Sequence, residues 1–139
     1  MSQPHLSPYL SFKDGKCAEA MKFYNGILGG KLNLMTFGEA PVESTDKNRD
    51  LIMHGALEND TLSFFGSDAM RDNEIIVGNN VQLSINGTDE AKLTEYFNGL
   101  AENGEVDHPL KKEFWGDHFG MLTDKYGIRW MINIGEGGK

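Results

Sequence analysis

The sequence predicts an α+β fold: two tandem βαβββ modules forming a pseudo-two-fold curled sheet around a central cavity. Three observations carry that expectation. A shift of 73 positions lays Leu10-Ser11-Phe12 on Leu83-Ser84-Ile85 and Phe23-Tyr24-Asn25-Gly26 on Tyr96-Phe97-Asn98-Gly99, with no gap between them. One constant offset through a strand and a helix implies two copies of one supersecondary unit. In each copy a short alternating segment precedes a segment of helical period, and further alternating segments follow. The 17 glycines among 139 residues suit short strands joined by tight turns. The chain reads as a single domain, 1–139, with modules over residues 5–72 and 79–135.

Residues 6–12 form the first expected strand, with Leu6, Leu10 and Phe12 on one face and Ser7, Tyr9 and Ser11 on the other. Asp14-Gly15 turns the chain into a helix over 16–28. Its apolar positions Cys17, Ala20, Tyr24, Ile27 and Leu28 recur at helical spacing. Gly29-Gly30 stops it, because glycine accepts the left-handed conformation at a helix end. Strands are expected over 31–37, 51–57 and 61–65, with a polar loop at 38–49 and a turn at Glu58-Asn59-Asp60. Ser67 to Asn79 is the expected connection between the copies.

The pattern then restarts. Val81, Leu83 and Ile85 form an apolar strand face, with Asn80, Gln82 and Ser84 opposite. Thr88 or Asn86 is expected to cap a helix whose first turn holds Asp89 and Glu90. Leu93, Phe97, Leu100 and Ala101 make its inner stripe. Asn103-Gly104 ends it, one step from where the 73-residue shift points. Strands follow over 105–112, 119–123 and 128–134, the last two joined by Asp124-Lys125-Tyr126-Gly127. Trp130 belongs to the core with Ile132 and Ile134. The tail from Gly135 to Lys139 reads as disordered.

The charge balance is 13 Lys and Arg against 21 Asp and Glu, a net of −8. Nucleic acid and anionic membrane are poor partners for such a chain, because phosphate binding needs clustered cations and the longest basic run is Lys111-Lys112. Cys17 is the lone cysteine, so no internal disulfide forms, and its place on the apolar stripe reads as structural rather than nucleophilic. The N-terminal residues lack the pattern of a signal peptide, and no apolar run reaches the ~20 residues of a membrane span. A cytoplasmic protein is expected.

Strand parity places Ser7, Tyr9, Ser11, Ser63, Phe65, Asn80, Gln82, Ser84, Met131 and Asn133 toward the cavity, with Arg129 at its mouth. His54 lies mid-strand, and Glu58 four residues on shares its face about 13 Å away, too far for one ion. Trp115-Gly116-Asp117-His118 reads as a structural loop or, in the alternative, as a pocket cap formed by Trp115, with Asp117 holding its turn and His118 beside it. The candidate ligand-binding residues are Tyr9, His54, Ser63, Phe65, Asn80, Gln82, Trp115, His118 and Met131; no catalytic residue is assigned.

Several phrases resemble the superfamily of glyoxalase I, bleomycin-resistance proteins and extradiol dioxygenases, the vicinal oxygen chelate superfamily, and its PhnB-like branch in particular. They are Pro8-Tyr9-Leu10-Ser11-Phe12, Ala18-Glu19-Ala20-Met21-Lys22-Phe23-Tyr24, Gly29-Gly30, Phe114-Trp115-Gly116-Asp117, Phe119-Gly120, and the run from Thr123 to Asn133. The resemblance implies the glyoxalase/bleomycin-resistance fold and a homodimer, in which paired chains complete the cavity or exchange half-units. Metal-dependent members hold one divalent ion with His and Glu from the first and last strands of each module. The matching positions here are Ser7 or Tyr9, Ser63, Asn80 and Met131, none of them His, Asp or Glu. The expected function is therefore small-molecule binding in a metal-free cavity, with no cofactor. The alternative is a superfamily enzyme of lyase, dioxygenase or transferase type. It would use an unusual metal site drawn from His5, His54 or His118, or none. Members of the branch carry a label resembling 3-demethylubiquinone 3-methyltransferase, but no glycine-rich loop that would cradle a methyl donor stands in this sequence.

Overall fold

The computed structural model of the chain describes residues 4–69 and 75–136. They fall in two compact units, 1–76 and 77–139. The first holds β1 (Tyr9–Phe12), α1 (Cys17–Leu28), β2 (Lys31–Thr36), β3 (Ile52–Glu58) and β4 (Ser63–Asp68). The second holds β5 (Leu83–Gly87), α2 (Glu90–Ala101), β6 (Glu105–Lys112), β7 (His118–Thr123) and β8 (Arg129–Ile134). Each unit is a βαβββ module with an open four-stranded sheet, ordered β1-β4-β3-β2 and β5-β8-β7-β6. The first strand of each module pairs parallel with the last, and the other pairs are antiparallel.

In the first module α1 buries Cys17, Ala20, Met21, Tyr24 and Leu28 against its sheet. Met21, not Ile27, completes the inner stripe, because the stripe drifts around the helix at 3.6 residues per turn. Ile52, Leu57 and Phe64 supply the sheet side, and Tyr24 meets Phe64 edge to face at 5.7 Å. The N-terminus of α1 has no cap of its own: Lys16 makes no side-chain cap bond. Asp68, at the far end of β4, substitutes. Its Oδ1 accepts from Cys17 N at 2.9 Å and its Oδ2 accepts from Ile52 N at 2.8 Å. One buried carboxyl thus ties the helix start to the first residue of β3.

In the second module Leu93, Phe97 and Leu100 pack over Leu122, Trp130, Ile132 and Ile134. Trp130 is a core residue, as expected. The cap of α2 is Asp89, whose side chain accepts from Lys92 N at 3.1 Å, rather than Thr88 or Asn86. Asp89 alone of the three sits at the point where extended backbone gives way to helix. Asp124 organises the β7–β8 turn. Its Oδ1 accepts from Tyr126 N and Ile128 N at 2.8 and 3.1 Å, and its Oδ2 accepts from Trp130 Nε1 at 2.9 Å. Asn59 does the equivalent work in the β3–β4 turn, accepting from Thr61 N and Leu62 N.

The two modules share a close approach between helix end and hairpin. A Cβ on Gly30 would stand 2.5 Å from the Glu58 carbonyl oxygen, and one on Gly104 would stand 2.4 Å from that of Thr123. These glycines are therefore the equivalent positions, at an offset of 74 rather than 73, and the offset falls to 65 at the hairpins, from Asn59 to Asp124. Gly120 stands four residues before Asp124, where the Phe97 ring fills the space a side chain would need; Gly55 stands four residues before Asn59.

Other boundaries moved. β1 begins at Tyr9, so Leu6 lies outside it and is fully exposed instead of sharing the face of Leu10 and Phe12. β5 begins at Leu83, leaving Asn80 and Val81 in an exposed approach to it. Ser67 and Asp68 belong to β4, not to the connection, of which residues 70–74 lie outside the described residues. Gly135, expected in a disordered tail, donates to the Gly87 carbonyl at 2.8 Å; residues 137–139 lie outside the described residues. β6 pairs with β7 through two breaks in register, one on each side of His108.

Removing the Asp68 carboxyl leaves two buried N–H groups unpaired. Asp68→Ala should cost about 2–4 kcal/mol, read from the urea midpoint at unchanged m. Gly104→Ala and Gly30→Ala should each cost about 1–3 kcal/mol by the same measurement, because backbone and not a flexible side chain occupies the space.

Candidate functional site

Each helix covers one face of its sheet, so the opposite face is where side chains remain available. On the first sheet that face carries Tyr9 from β1, His54 from β3 and Phe65 from β4. The register sets Tyr9 beside Phe65 and Phe65 beside Ala56, two residues from His54 on the same face. The three rings form one cluster. His54 stacks on Phe65 at 5.4 Å, and Tyr9 lies 6.0 Å from His54 and 6.4 Å from Phe65. Tyr9 is 52% exposed, and no hydrogen bond to the His54 ring occurs among the described residues. Strand alternation delivers these groups: Phe64, Gly66 and Asp68 face α1, while Ser63, Phe65 and Ser67 face away. Ser63 shares this face at the start of β4, opposite Glu58.

The second sheet presents a different set. Phe119, Met121 and Thr123 alternate with the buried Gly120 and Leu122, and Met131 lies between Met121 and Ser84 in the ladder. Trp115, in the β6–β7 loop, meets Phe119 edge-on at 5.9 Å and Phe114 at 5.0 Å. Two polar contacts hold that loop. Asn133 Nδ2 donates to Asp117 Oδ2 at 3.0 Å, and His108 Nε2 lies 3.0 Å from Glu113 Oε2. The His108 ring also lies 5.6 Å from that of Phe119.

His118 starts β7 with the parity of Gly120, and so stands apart from Trp115 and Met131. It lines a cleft of about 290 Å³ with Thr88, Glu90 and Lys112 near the start of α2. Gln82 is half-buried one residue before β5, and Asn80 is exposed in the preceding loop. Within the first unit the structure gathers Tyr9, His54 and Phe65; within the second, His118 stands apart from Trp115 and Met131, and Asn80 lies outside β5. His108, Glu113 and Phe119 escaped the sequence reading. Their grouping depends on the register of β6 and β7, which the irregular pairing hides from periodicity.

Ser7 or Tyr9, Ser63, Asn80 and Met131 offer only neutral oxygen and thioether donors at the positions matched to the superfamily's metal ligands. Such a set competes poorly with water for a divalent ion. No three of His, Cys, Asp and Glu come together in a metal-binding geometry among the described residues. These residues do not fit a divalent ion. Cys17 fits no nucleophile role either. Burial, reinforced by the neighbouring Asp68, pushes its thiol up to about 12, so the thiolate is scarce at neutral pH.

The chain matches the 3-demethylubiquinone-9 3-methyltransferase family over residues 4–133. It is 32% identical to protein YjdN of Escherichia coli K12, over 93% of this chain and 94% of that one. Among solved structures, protein PA1353 from Pseudomonas aeruginosa is 36% identical with a TM-score of 0.83, covering 96% of this chain and 99% of that one. A PhnB protein from Bacillus cereus is 22% identical with a TM-score of 0.74, covering 94% and 99%. A glyoxalase/bleomycin resistance protein/dioxygenase from Nocardioides, 15% identical with a TM-score of 0.59, and the fosfomycin resistance protein FosX from Mesorhizobium loti, 7% identical with a TM-score of 0.61, share the fold. No helix among the described residues is long and apolar enough to cross a membrane.

A thiol reagent at pH 8 should leave Cys17 unmodified in the native protein and label it fully in denaturant. The raised pKa also fixes a sign. The thiol's share of stability is complete below its ordinary value of 9.0 and is lost as pH climbs toward about 12. Cys17→Ala should flatten that alkaline loss in a series of denaturant melts.

Proposed function

Since the chain belongs to the PhnB-like 3-demethylubiquinone-9 3-methyltransferase family, within the glyoxalase/bleomycin-resistance superfamily, we propose that it acts by binding a small molecule, as a homodimer. The observation that carries this reading is the ring cluster Tyr9–His54–Phe65 on the helix-free face of the first sheet. An apolar, partly open ring surface flanked by a few polar groups is the usual make-up of a small-molecule site. Offset stacking on Phe65 and His54 favours a flat ligand, and the His54 ring nitrogens offer it a hydrogen bond. The groups next to the rings on that face, Ser11 and Ser67, are uncharged, while the charged pair Lys31 and Glu58 lies toward the other end of the sheet beside Ser63, so a neutral or weakly polar ring system suits the ring cluster best.

Dimerisation draws support from apolar side chains left on the surface, Leu6 at 101% and Phe114 at 96% exposure. A cytoplasmic setting belongs to the same proposal, with Cys17 kept reduced. Methyl transfer, which the family's description names, gains no support from the sequence, because no glycine-rich loop follows a strand to hold a nucleoside-bearing methyl donor.

A thermal-shift screen with flat, uncharged aromatic metabolites should give stabilising ligands. His54→Ala and Phe65→Leu should each weaken the best of them about tenfold while leaving the fold intact, because both lie outside the helix-covered core. Ligands indifferent to both substitutions would remove this site. Light scattering should return twice the 15.5 kDa chain mass; a monomer would remove the dimer.

A further inference from the structure

Two polar atoms in the second module are buried without a partner among the described residues: the Nε of Arg129 and the Oε1 of Gln82. Buried polar groups are paired in the great majority of folded proteins, so an orphaned pair calls for an explanation. The two lie at the same end of one ladder. β5 and β8 run parallel with Leu83 beside Trp130, and Gln82 and Arg129 are the residues immediately before that pair in each chain segment. Both share the parity of Ser84 and Met131, on the face away from α2.

The charge of Arg129 is also unmatched. Its side chain forms no ion pair among the described residues, in a chain with 21 carboxylates. Its neighbour across the ladder is Thr123, whose hydroxyl is committed to Asp107 Oδ2 at 2.7 Å. Glu105 lies one strand further out, opposite Thr123, and is exposed. Neither carboxylate reaches the guanidinium.

We propose that Arg129 and Gln82 form a subsite for a 2-hydroxycarboxylate. The pairing follows from the inventory of groups. A guanidinium donates and cannot accept, and its planar edge matches a carboxylate with two parallel N–H···O bonds. The orphan of Gln82 is an acceptor, so it needs a donor placed next to the anion. A hydroxyl on the carbon bearing the carboxylate supplies that donor at the spacing of adjacent side chains. The subsite does not depend on the ring cluster of the first module.

The test uses the full chain and a defined set of probes, followed by calorimetry and by amide chemical shifts: lactate, mandelate, methyl lactate and sulfate. Lactate and mandelate should bind, with the largest shifts at residues 82–84 and 129–131. Methyl lactate and sulfate should bind at least tenfold more weakly, one lacking the charge and the other the adjacent donor. Arg129→Lys keeps the charge but loses the planar fork, and should weaken lactate at least tenfold. Gln82→Glu places a carboxylate beside Arg129, and should abolish lactate binding while raising the melting temperature. Four results would overturn the proposal: no binding of either hydroxy acid, equal binding of sulfate or methyl lactate, wild-type affinity in Arg129→Lys, or a Gln82→Glu protein that still binds lactate. Neutral aromatic ligands lost in Phe65→Leu yet retained in Arg129→Lys would leave the ring-cluster site standing whichever way lactate decides.

Discussion

The Asp68 carboxyl holds the first module in its shape. A helix start leaves unpaired N–H groups, and a strand entering a sheet beside it leaves another. Asp68 reaches both from the last residue of β4, with Cys17 N on one oxygen and Ile52 N on the other. The three elements meet where water is excluded, so neither donor has an alternative. The ladder of β4 against β1 and β3 depends on this corner, and that ladder spaces Tyr9, His54 and Phe65. A buried acid on one face of the sheet thus positions an aromatic cluster on the other.

The second module solves the same problem differently. Its strand β8 ends at the position equivalent to Asp68 in the buried, apolar Ile134, and α2 is capped locally by Asp89. The buried acid moves instead to the hairpin, where Asp124 binds two backbone N–H groups and the Trp130 indole. Duplication kept the architecture and the contact of glycine with hairpin carbonyl at Gly30 and Gly104. It did not keep the electrostatics. The helix-free faces diverge in the same way, one carrying the rings of Tyr9, His54 and Phe65, the other Arg129, Met131 and an aromatic loop.

Much of this was legible from the residues. Periodicity placed both helices within a residue or two, and β6 is found over the expected span, because period 2 and period 3.6 are local properties. Parity alone put Phe65 and Tyr9 on the helix-free side and Trp130 in the core. The failures share a cause. Asp68 acts on residues 16 and 51 positions away, which no local pattern reports. The cap of α2 sat among three residues that all make good caps, and only backbone geometry separates Asp89 from its neighbours. His108 joins Phe119 through a strand pairing broken twice, so counting in twos along β6 gives no face for it.

The irregular pairing of β6 has a bearing on aggregation. A flat edge strand is a template on which another chain can continue the sheet. β6 is the outer strand of its sheet and carries Pro109, which has no N–H to donate, beside two register breaks and the paired cations Lys111-Lys112. Backbone hydrogen bonding to a newcomer along this margin is interrupted and repelled at once. A strand added on that side would meet both obstacles before it could extend the sheet toward a fibre.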